Sequence, residues 1–90
     1  MAVMVTMTLK TDAATYQGAH MQLVEAARSL GLLFHSGREV AGGVAVVDFW
    51  PNAEAFQGFM AGPAGAGLSA LGIPDPDDLE ITPVLTAEKG

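Results

Sequence analysis

A strand-like run that is apolar on both of its faces constrains this chain more than any other feature. The run covers residues 44–50 and lies between a pair of glycines and Pro51. Because side chains alternate along a strand, its residues divide between two faces. One face carries Val44, Val46, Asp48 and Trp50, and the other carries Ala45, Val47 and Phe49. A strand covered on one side only is polar on its open side, so this strand requires cover on both faces.

A strand and a helix are predicted ahead of this run. The alternation of apolar residues over Val3–Leu9 indicates the first strand. The helix is predicted over Ala13–Ser29, with Thr11 or Asp12 as its N-cap and Gly31 after its end. Its apolar stripe consists of Tyr16, His20, Leu23, Val24 and Ala27.

The second half of the chain repeats this pattern. Residues 32–36 are predicted to form a second strand, and residues 37–43 a loop that leads into residues 44–50 as an antiparallel hairpin. A second helix follows Pro51, with Asn52 as its N-cap. Its apolar stripe consists of Ala55, Phe56, Phe59 and Met60.

Glycine and proline decide the prediction for the remaining residues. Residues 62–67 contain too much glycine for a stable helix interior, although a short helix over 68–71 fits the pattern. A last strand is predicted over 79–85, where Pro83 favours an edge position because proline lacks the amide donor. From about residue 86 we expect a tail.

The order β-α-β-β-α-β predicts a ferredoxin-like α+β fold in a single domain over residues 1–90. Two helices would pack on one face of a four-stranded antiparallel sheet. We expect apolar groups from every strand on the other face, and no element remains to cover it. An exposed apolar face of that size associates, and a two-fold homodimer with sheet against sheet is the simplest closed arrangement.

Composition narrows the partners and the compartment. The chain has no cysteine, so disulfides and thiolate metal sites are excluded. A net charge of −6 with four Lys and Arg residues argues against nucleic acid as a partner. No run approaches the roughly 20 apolar residues of a membrane span, and the N-terminus lacks the features of a signal peptide. We therefore expect a cytoplasmic protein that does not bind membranes.

Several short motifs together resemble the dimeric α+β-barrel superfamily, near its antibiotic-biosynthesis monooxygenase-like group. They are GLLFH at 31–35, VVDFW at 46–50, EAF at 54–56, LGIP at 71–74 and PV at 83–84. The resemblance covers nearly the whole chain and implies a homodimer with a small apolar cavity between the sheet and the helices of each protomer. The glycine-rich residues 62–67 depart from it, since relatives tend to continue a charged helix there.

The activities of such relatives differ, so the fold does not determine the function. The superfamily includes cofactor-free monooxygenases of aromatic polyketides, polyketide cyclases, haem-degrading enzymes, muconolactone-type isomerases and many proteins without an assigned activity. The site residues therefore have to be argued from their own chemistry.

His35 is the first candidate for chemistry, because an imidazole titrates near neutral pH and can act as an acid or a base. If His35 shares a side of the sheet with Asp48 and Trp50, the three line a pocket with an aromatic floor, a proton carrier and an orienting carboxylate. The alternative is structural: His35 is a hydrogen-bonded core or interface residue, and Asp48 pairs with Arg38.

His20 and Tyr16 form the second candidate pair, since they lie one turn apart on the apolar stripe of the first helix. In a pocket between helix and sheet they would serve as an acid–base couple of the cyclase kind. The alternative is that Tyr16 is packed with its hydroxyl at the rim and His20 is half exposed.

Apolar ligand contacts are predicted at three positions. Trp50 offers a stacking surface and an N–H donor, and the resemblance implies that a tryptophan near this point contributes to the cavity. The alternative is a packing tryptophan at the sheet edge or dimer contact. Leu33 and Phe59 are the other predicted substrate contacts.

Neither a phosphate loop nor a metal site is predicted. After Gly67, Leu68 stands where a Walker loop has its lysine, so residues 62–67 are interpreted as a flexible lid or an inert linker. The acidic residues at 75–80 do not have EF-hand spacing and are expected to be solvated turn charges. Neither histidine lies in a motif that requires iron, so we expect no metal and no cofactor.

Two functional classes remain open. The first is a cofactor-independent enzyme of monooxygenase or cyclase type, acting on a small aromatic or polyketide-like substrate while one histidine transfers a proton. The second is a non-catalytic homodimeric module that binds a small apolar ligand or serves a structural role. A cavity that encloses His35 or His20 with a second polar group favours the first, and one filled by Met7, Leu33 and Phe59 favours the second.

Overall fold

Four strands and three helices make up the computed structural model, which describes residues 1–88. The elements are β1 (Val3–Leu9), α1 (Ala13–Ser29), β2 (Phe34–Val40), β3 (Gly43–Trp50), α2 (Ala53–Ala61), α3 (Pro63–Ala70) and β4 (Glu80–Pro83). The strands form one antiparallel sheet in the order β2-β3-β1-β4. The predicted ferredoxin-like arrangement is confirmed, and β4, with Pro83, lies at an edge as expected.

The helices cover one face of the sheet, and the core lies between them. Alternate residues of the two central strands are buried on this inner face: Val3, Val5, Met7 and Leu9 from β1, and Val44, Val46, Asp48 and Trp50 from β3. The helices contribute Ala27, Phe56, Phe59, Ala64 and Leu68 to the same cluster. The double-sided apolar pattern of β3 is therefore satisfied on its inner side by the helices of the same chain.

Short polar side chains begin two of the helices. The Asp12 carboxylate accepts a hydrogen bond from the Thr15 amide at 2.7 Å, so Asp12 rather than Thr11 is the N-cap of α1. Asn52 accepts from the Ala55 amide at 2.8 Å and caps α2 as predicted.

The predicted loop over residues 37–43 is wrong, because β2 continues to Val40 and pairs with β3 along its whole length. Only Ala41 and Gly42 make the turn, and Gly42 has the positive φ of 89° that favours glycine there. Gly43 then passes so close to β1 that a Cβ would overlap the Leu9 carbonyl oxygen. Polar residues dominate β2 because it is an edge strand with much of its surface in solvent.

The prediction of a lid or a linker over the glycine-rich residues 62–67 is also wrong, because helix α3 covers residues 63–70. Ala64 and Leu68 of α3 are buried in the core, and this packing offsets the low helix propensity of glycine. Gly65 has a packing role, because a Cβ on it would overlap the Met60 carbonyl oxygen at the end of α2. The glycine thus lets the two helices meet closely.

The outer face of the sheet carries an apolar row at one end. Phe34, Phe49 and Met4 lie side by side in the register of β2, β3 and β1, and the Phe34 side chain is 54% exposed. The prediction of apolar groups from every strand is wrong for β4, which presents Glu80 and Thr82 on this face.

The acidic side chains of the turn before β4 are exposed, as expected for solvated charges, and two of them also bond to the end of β1. The Lys10 ammonium donates to the Asp77 carboxylate at 2.8 Å, and the Thr8 amide donates to Asp78 at 2.8 Å. Within residues 1–88, no helix has the length and apolar character needed to cross a bilayer.

Substituting Gly65 by alanine should destabilise the protein. Overlap with the Met60 carbonyl forces α2 and α3 apart, and overpacking of this kind costs about 1–3 kcal/mol of unfolding free energy. The matched control is Gly58→Ala, because Gly58 lies inside α2 with open space around it and gains about 0.5–1 kcal/mol of helix propensity. Urea denaturation measures both, and equal stability of the two variants would contradict the close helix contact.

Candidate active site

Three polar side chains from three elements form a hydrogen-bonded chain on the inner face of the sheet. Pairing of β2 with β3 places His35 opposite Asp48, and the His35 Nδ1 lies 2.5 Å from the Asp48 carboxylate. The His35 Nε2 lies 2.5 Å from the Tyr16 hydroxyl, which α1 holds over the sheet. Asp48 and His35 are 8% and 15% exposed, so the chain is largely withdrawn from solvent.

With an ionised Asp48 and a neutral His35, the two contacts fix the direction of each hydrogen bond. An ionised carboxylate only accepts hydrogen bonds, so Asp48 accepts from the Nδ1–H of His35. The Nε2 of the neutral imidazole is then an acceptor, and the Tyr16 hydroxyl donates to it. A carboxylate that orients an imidazole toward a hydroxyl is the arrangement by which proteins activate a hydroxyl.

Burial raises the pKa of the Tyr16 phenol, and the negative charge of Asp48 raises it further. Tyr16 therefore keeps its proton at neutral pH and serves as a hydrogen-bond donor in the resting protein. It becomes a base only when its own proton passes to His35.

Gly37 makes room for the Tyr16 phenol. A Cβ at Gly37 would lie 2.5 Å from the Tyr16 hydroxyl oxygen and 2.7 Å from the ring carbon that bears it. Because Gly37 lies on β2 two residues after His35, it belongs to the same face of the strand. The missing side chain is what lets the hydroxyl reach Nε2.

His20 completes a cluster of three rings. Its ring centroid lies 5.5 Å from that of Tyr16 and 5.4 Å from that of His35. His20 is half-buried, which agrees with the alternative that it is half exposed. The two candidate pairs of the sequence, His35 with Asp48 and His20 with Tyr16, thus meet in one place.

This cluster borders a cavity of about 50 Å³ between the sheet and the helices. Tyr16, His20, His35 and Asp48 are its polar lining residues, and the apolar ones include Met7, Phe59 and Met60. The apolar surround lowers the local dielectric constant and so strengthens electrostatic interactions among the polar groups.

Two predicted ligand contacts are not in this cavity. Trp50 is fully buried against Phe56 and Phe59, so the prediction that it lines the pocket is wrong. Its indole N–H is buried without a hydrogen-bond partner. Leu33 lines a neighbouring cleft, whereas Phe59 lines the cavity.

The predicted alternative partner of Asp48 is not used either. Arg38 pairs in register with Ala45, on the opposite face of the sheet from Asp48. Alternation along the strands puts Arg38 and Asp48 on opposite faces, and the Asp48 carboxylate pairs with His35 instead.

The cluster can relay a proton, and its chemistry is that of acid–base transfer. A proton accepted by the Tyr16 oxygen is matched by one passed to His35 Nε2, and Asp48 stabilises the resulting imidazolium. Over residues 1–88, His, Asp and Glu side chains do not converge in a group of three that could hold a metal ion.

Comparison with solved structures places this fold among known proteins. A protein designated YJCS superposes with a TM-score of 0.74 at 14% identity, covering 93% of this chain and 99% of its own. SnoaB, a cofactor-independent oxygenase from Streptomyces nogalater, gives 0.66 at 11%, covering 96% and 93%. MhuD, a haem degrader from Mycobacterium tuberculosis, gives 0.52 at 21%, covering 97% and 98%.

These likenesses establish the fold and leave the activity open, because all three identities are low. No family profile and no curated protein matches the chain. The fold that the predicted resemblance implied is confirmed, because putative antibiotic biosynthesis monooxygenases from Chloroflexus aurantiacus and Deinococcus radiodurans share it.

Tyr16 is the one tyrosine of the chain, so phenolate absorbance on raising the pH reports it alone. We expect a midpoint above the ordinary value of about 10, and Asp48→Asn should lower it by removing the charge while leaving the burial. An unchanged midpoint in Asp48→Asn would contradict the coupling.

The free energy of unfolding should depend on pH through the Tyr16 phenol. The folded state holds the phenol proton more tightly than the unfolded chain, so the Tyr16 contribution is fully present below about pH 10 and is lost as pH rises through the higher folded pKa. Tyr16→Phe should lack this alkaline loss in urea denaturation at successive pH values.

Proposed function

We propose that the protein is a cofactor-independent enzyme of monooxygenase or cyclase type, which removes a proton from a small aromatic or polyketide-like substrate. The observation that carries this proposal is the hydrogen-bonded chain of Tyr16, His35 and Asp48 on the border of an apolar cavity. The oxygenase named among the similar structures agrees with it, although that likeness concerns the fold.

The proton step follows from the hydrogen bonds. An acidic C–H of the substrate gives its proton to the Tyr16 oxygen while the Tyr16 proton moves to His35 Nε2. The imidazolium so formed lies against the Asp48 carboxylate, which compensates its charge inside the protein. The substrate is left as a carbanion stabilised by its own carbonyl and ring system.

Two outcomes of this carbanion balance without a further reactant from the protein. With O2, a methylene becomes a carbonyl: one oxygen atom enters the product, and the other leaves as water with the two methylene hydrogens. Without O2, the carbanion attacks a second carbonyl of the same molecule, and the alkoxide receives the proton back through Tyr16. The first is monooxygenation and the second is aldol cyclisation.

The cavity argues for an enzyme over a passive module. The cavity is not filled by Met7, Leu33 and Phe59, as the non-catalytic alternative required. Met7 and Phe59 line it together with four polar side chains, and three of these are bonded in series. A site that only binds apolar ligands gains nothing from a buried, charged carboxylate, whose desolvation is costly.

Anthrone, a tricyclic ketone with an acidic methylene, is a suitable probe of the proton step. We expect the protein to accelerate exchange of the methylene hydrogens in heavy water under nitrogen, and to convert anthrone to the quinone in air. Tyr16→Phe and His35→Ala should each lower the exchange rate by about 10²-fold or more, as expected for loss of a general acid–base group.

The control is Arg38→Gln, which changes an exposed residue on the far side of the sheet. It should exchange anthrone at the unsubstituted rate. Full exchange activity in either Tyr16→Phe or His35→Ala would remove that residue from the mechanism. Binding of anthrone with neither exchange nor oxidation would favour the non-catalytic module.

We also propose a homodimer formed through the outer face of the sheet. Its support is the row of Phe34, Phe49 and Met4, which no helix within residues 1–88 covers. Burial of such a row against its two-fold copy removes apolar surface from water, which is the main driving force of association.

Native mass spectrometry should therefore give the mass of two chains, and Phe49→Glu should give one. A charge at the centre of the row opposes burial, whereas Phe49 contributes little to the helix-covered core. Met21→Glu, on the exposed surface of α1, is the control and should remain dimeric. Monomers of unsubstituted protein would contradict the proposed interface.

A further inference from the structure

A second space adjoins the cavity at the open end of the site. This outer cleft lies between the second half of α1 and the start of β2 and measures about 400 Å³. It shares His20, Val24, Leu32 and His35 with the inner cavity. The two histidines therefore stand at the boundary between the two spaces.

The sizes of the two spaces assign them different roles. The inner cavity, at about 50 Å³, has room for a few water molecules and not for an aromatic ring system. The outer cleft falls within the roughly 300–1,000 Å³ of small-molecule sites. Its apolar lining includes Met21, which is more than half exposed, together with Leu33. A ligand with a ring system fits the outer cleft and can present one edge, or a small group on that edge, to the inner cavity.

The outer cleft carries a positive charge from Arg28, which favours a ligand with an anionic group. Lys10 is bonded to Asp77, and Arg38 lies on the outer face of the sheet. Arg28, in the last turn of α1, lines the cleft, and residues 1–88 provide it with no ion-pair partner. Among residues 1–88, no carboxylate lines the cleft, although the chain carries a net charge of −6.

We propose that the outer cleft binds the body of an aromatic substrate that bears a carboxylate or an equivalent anionic group, and that Arg28 receives this group. Guanidinium forms paired hydrogen bonds with planar anions, which lysine cannot match. The reacting end of the molecule passes between His20 and His35 toward Tyr16. Its role as a substrate rests on the proposed function, whereas the binding itself does not.

A pair of fluorescent probes tests the binding without turnover. Anilinonaphthalene sulfonate carries an anionic group on an aromatic body, and the unsulfonated anilinonaphthalene has the same body without the charge. We expect Arg28→Gln to weaken binding of the sulfonate about tenfold, the low end for a charged hydrogen bond at an exposed site, and to leave binding of the uncharged probe unchanged.

Arg38→Gln is the matched control, because it removes a guanidinium from the outer face of the sheet, where an apolar row could also bind the probes. It should change neither affinity. Amide chemical shifts on titration with the sulfonate should move at Met21, Leu33 and Phe34 in the unsubstituted protein.

Three results would overturn the proposal. They are equal sulfonate affinity in Arg28→Gln and the unsubstituted protein, equal loss for both probes in Arg28→Gln, and a loss in Arg38→Gln that matches the loss in Arg28→Gln. Each can occur while Tyr16→Phe still abolishes exchange of anthrone, so failure of the cleft and failure of the proposed reaction are distinguishable.

Discussion

The buried carboxylate of Asp48 is the constraint on which the arrangement of this molecule depends. It occupies a core position on a strand whose neighbouring inner residues are Val46 and Trp50, and it is 8% exposed. A charge at such a position is tolerated only if it is paired and hydrogen-bonded. His35 meets this requirement and in turn presents Nε2 to Tyr16. The register of β2 on β3 and the placement of α1 over the sheet thus converge on one polar cluster in an apolar interior.

Much of the fold could be predicted because the periodicities of β1, α1 and β3 are strong and their caps are local. The failures have a common cause, since tertiary packing outweighed local propensity. β2 is an edge strand, so its polar residues after His35 read as a loop even though its backbone is paired throughout. In α3, the glycines that argued against a helix are accommodated by the burial of Leu68, and Gly65 is required by the contact with Met60.

Two pairs of site residues could be predicted from the sequence, but not the contact that joins the two pairs. His35 and Asp48 could be named as a pair only on the condition that they share a face of the sheet, which the register of β2 on β3 meets. Helical spacing placed Tyr16 near His20. The bond between Tyr16 and His35 depends on where a helix settles on a sheet, which no local pattern specifies. Gly37 carried the missing signal, because a glycine inside a strand marks a close approach. The same limit explains Trp50, whose place in the core depends on α2.

The sheet order has a consequence for how the protein is made. Strand β1, near the start of the chain, lies between β3 and β4, so the first strand pairs with the last. During synthesis, one edge of β1 has no partner until residues 80–83 have left the ribosome. Closing this long loop comes late, since its entropy cost precedes any gain from pairing. The bonds from Lys10 to Asp77 and from Thr8 to Asp78 adjoin this pairing and reinforce the final closure. Loss of the last strand would therefore leave a backbone edge open to pairing with other chains.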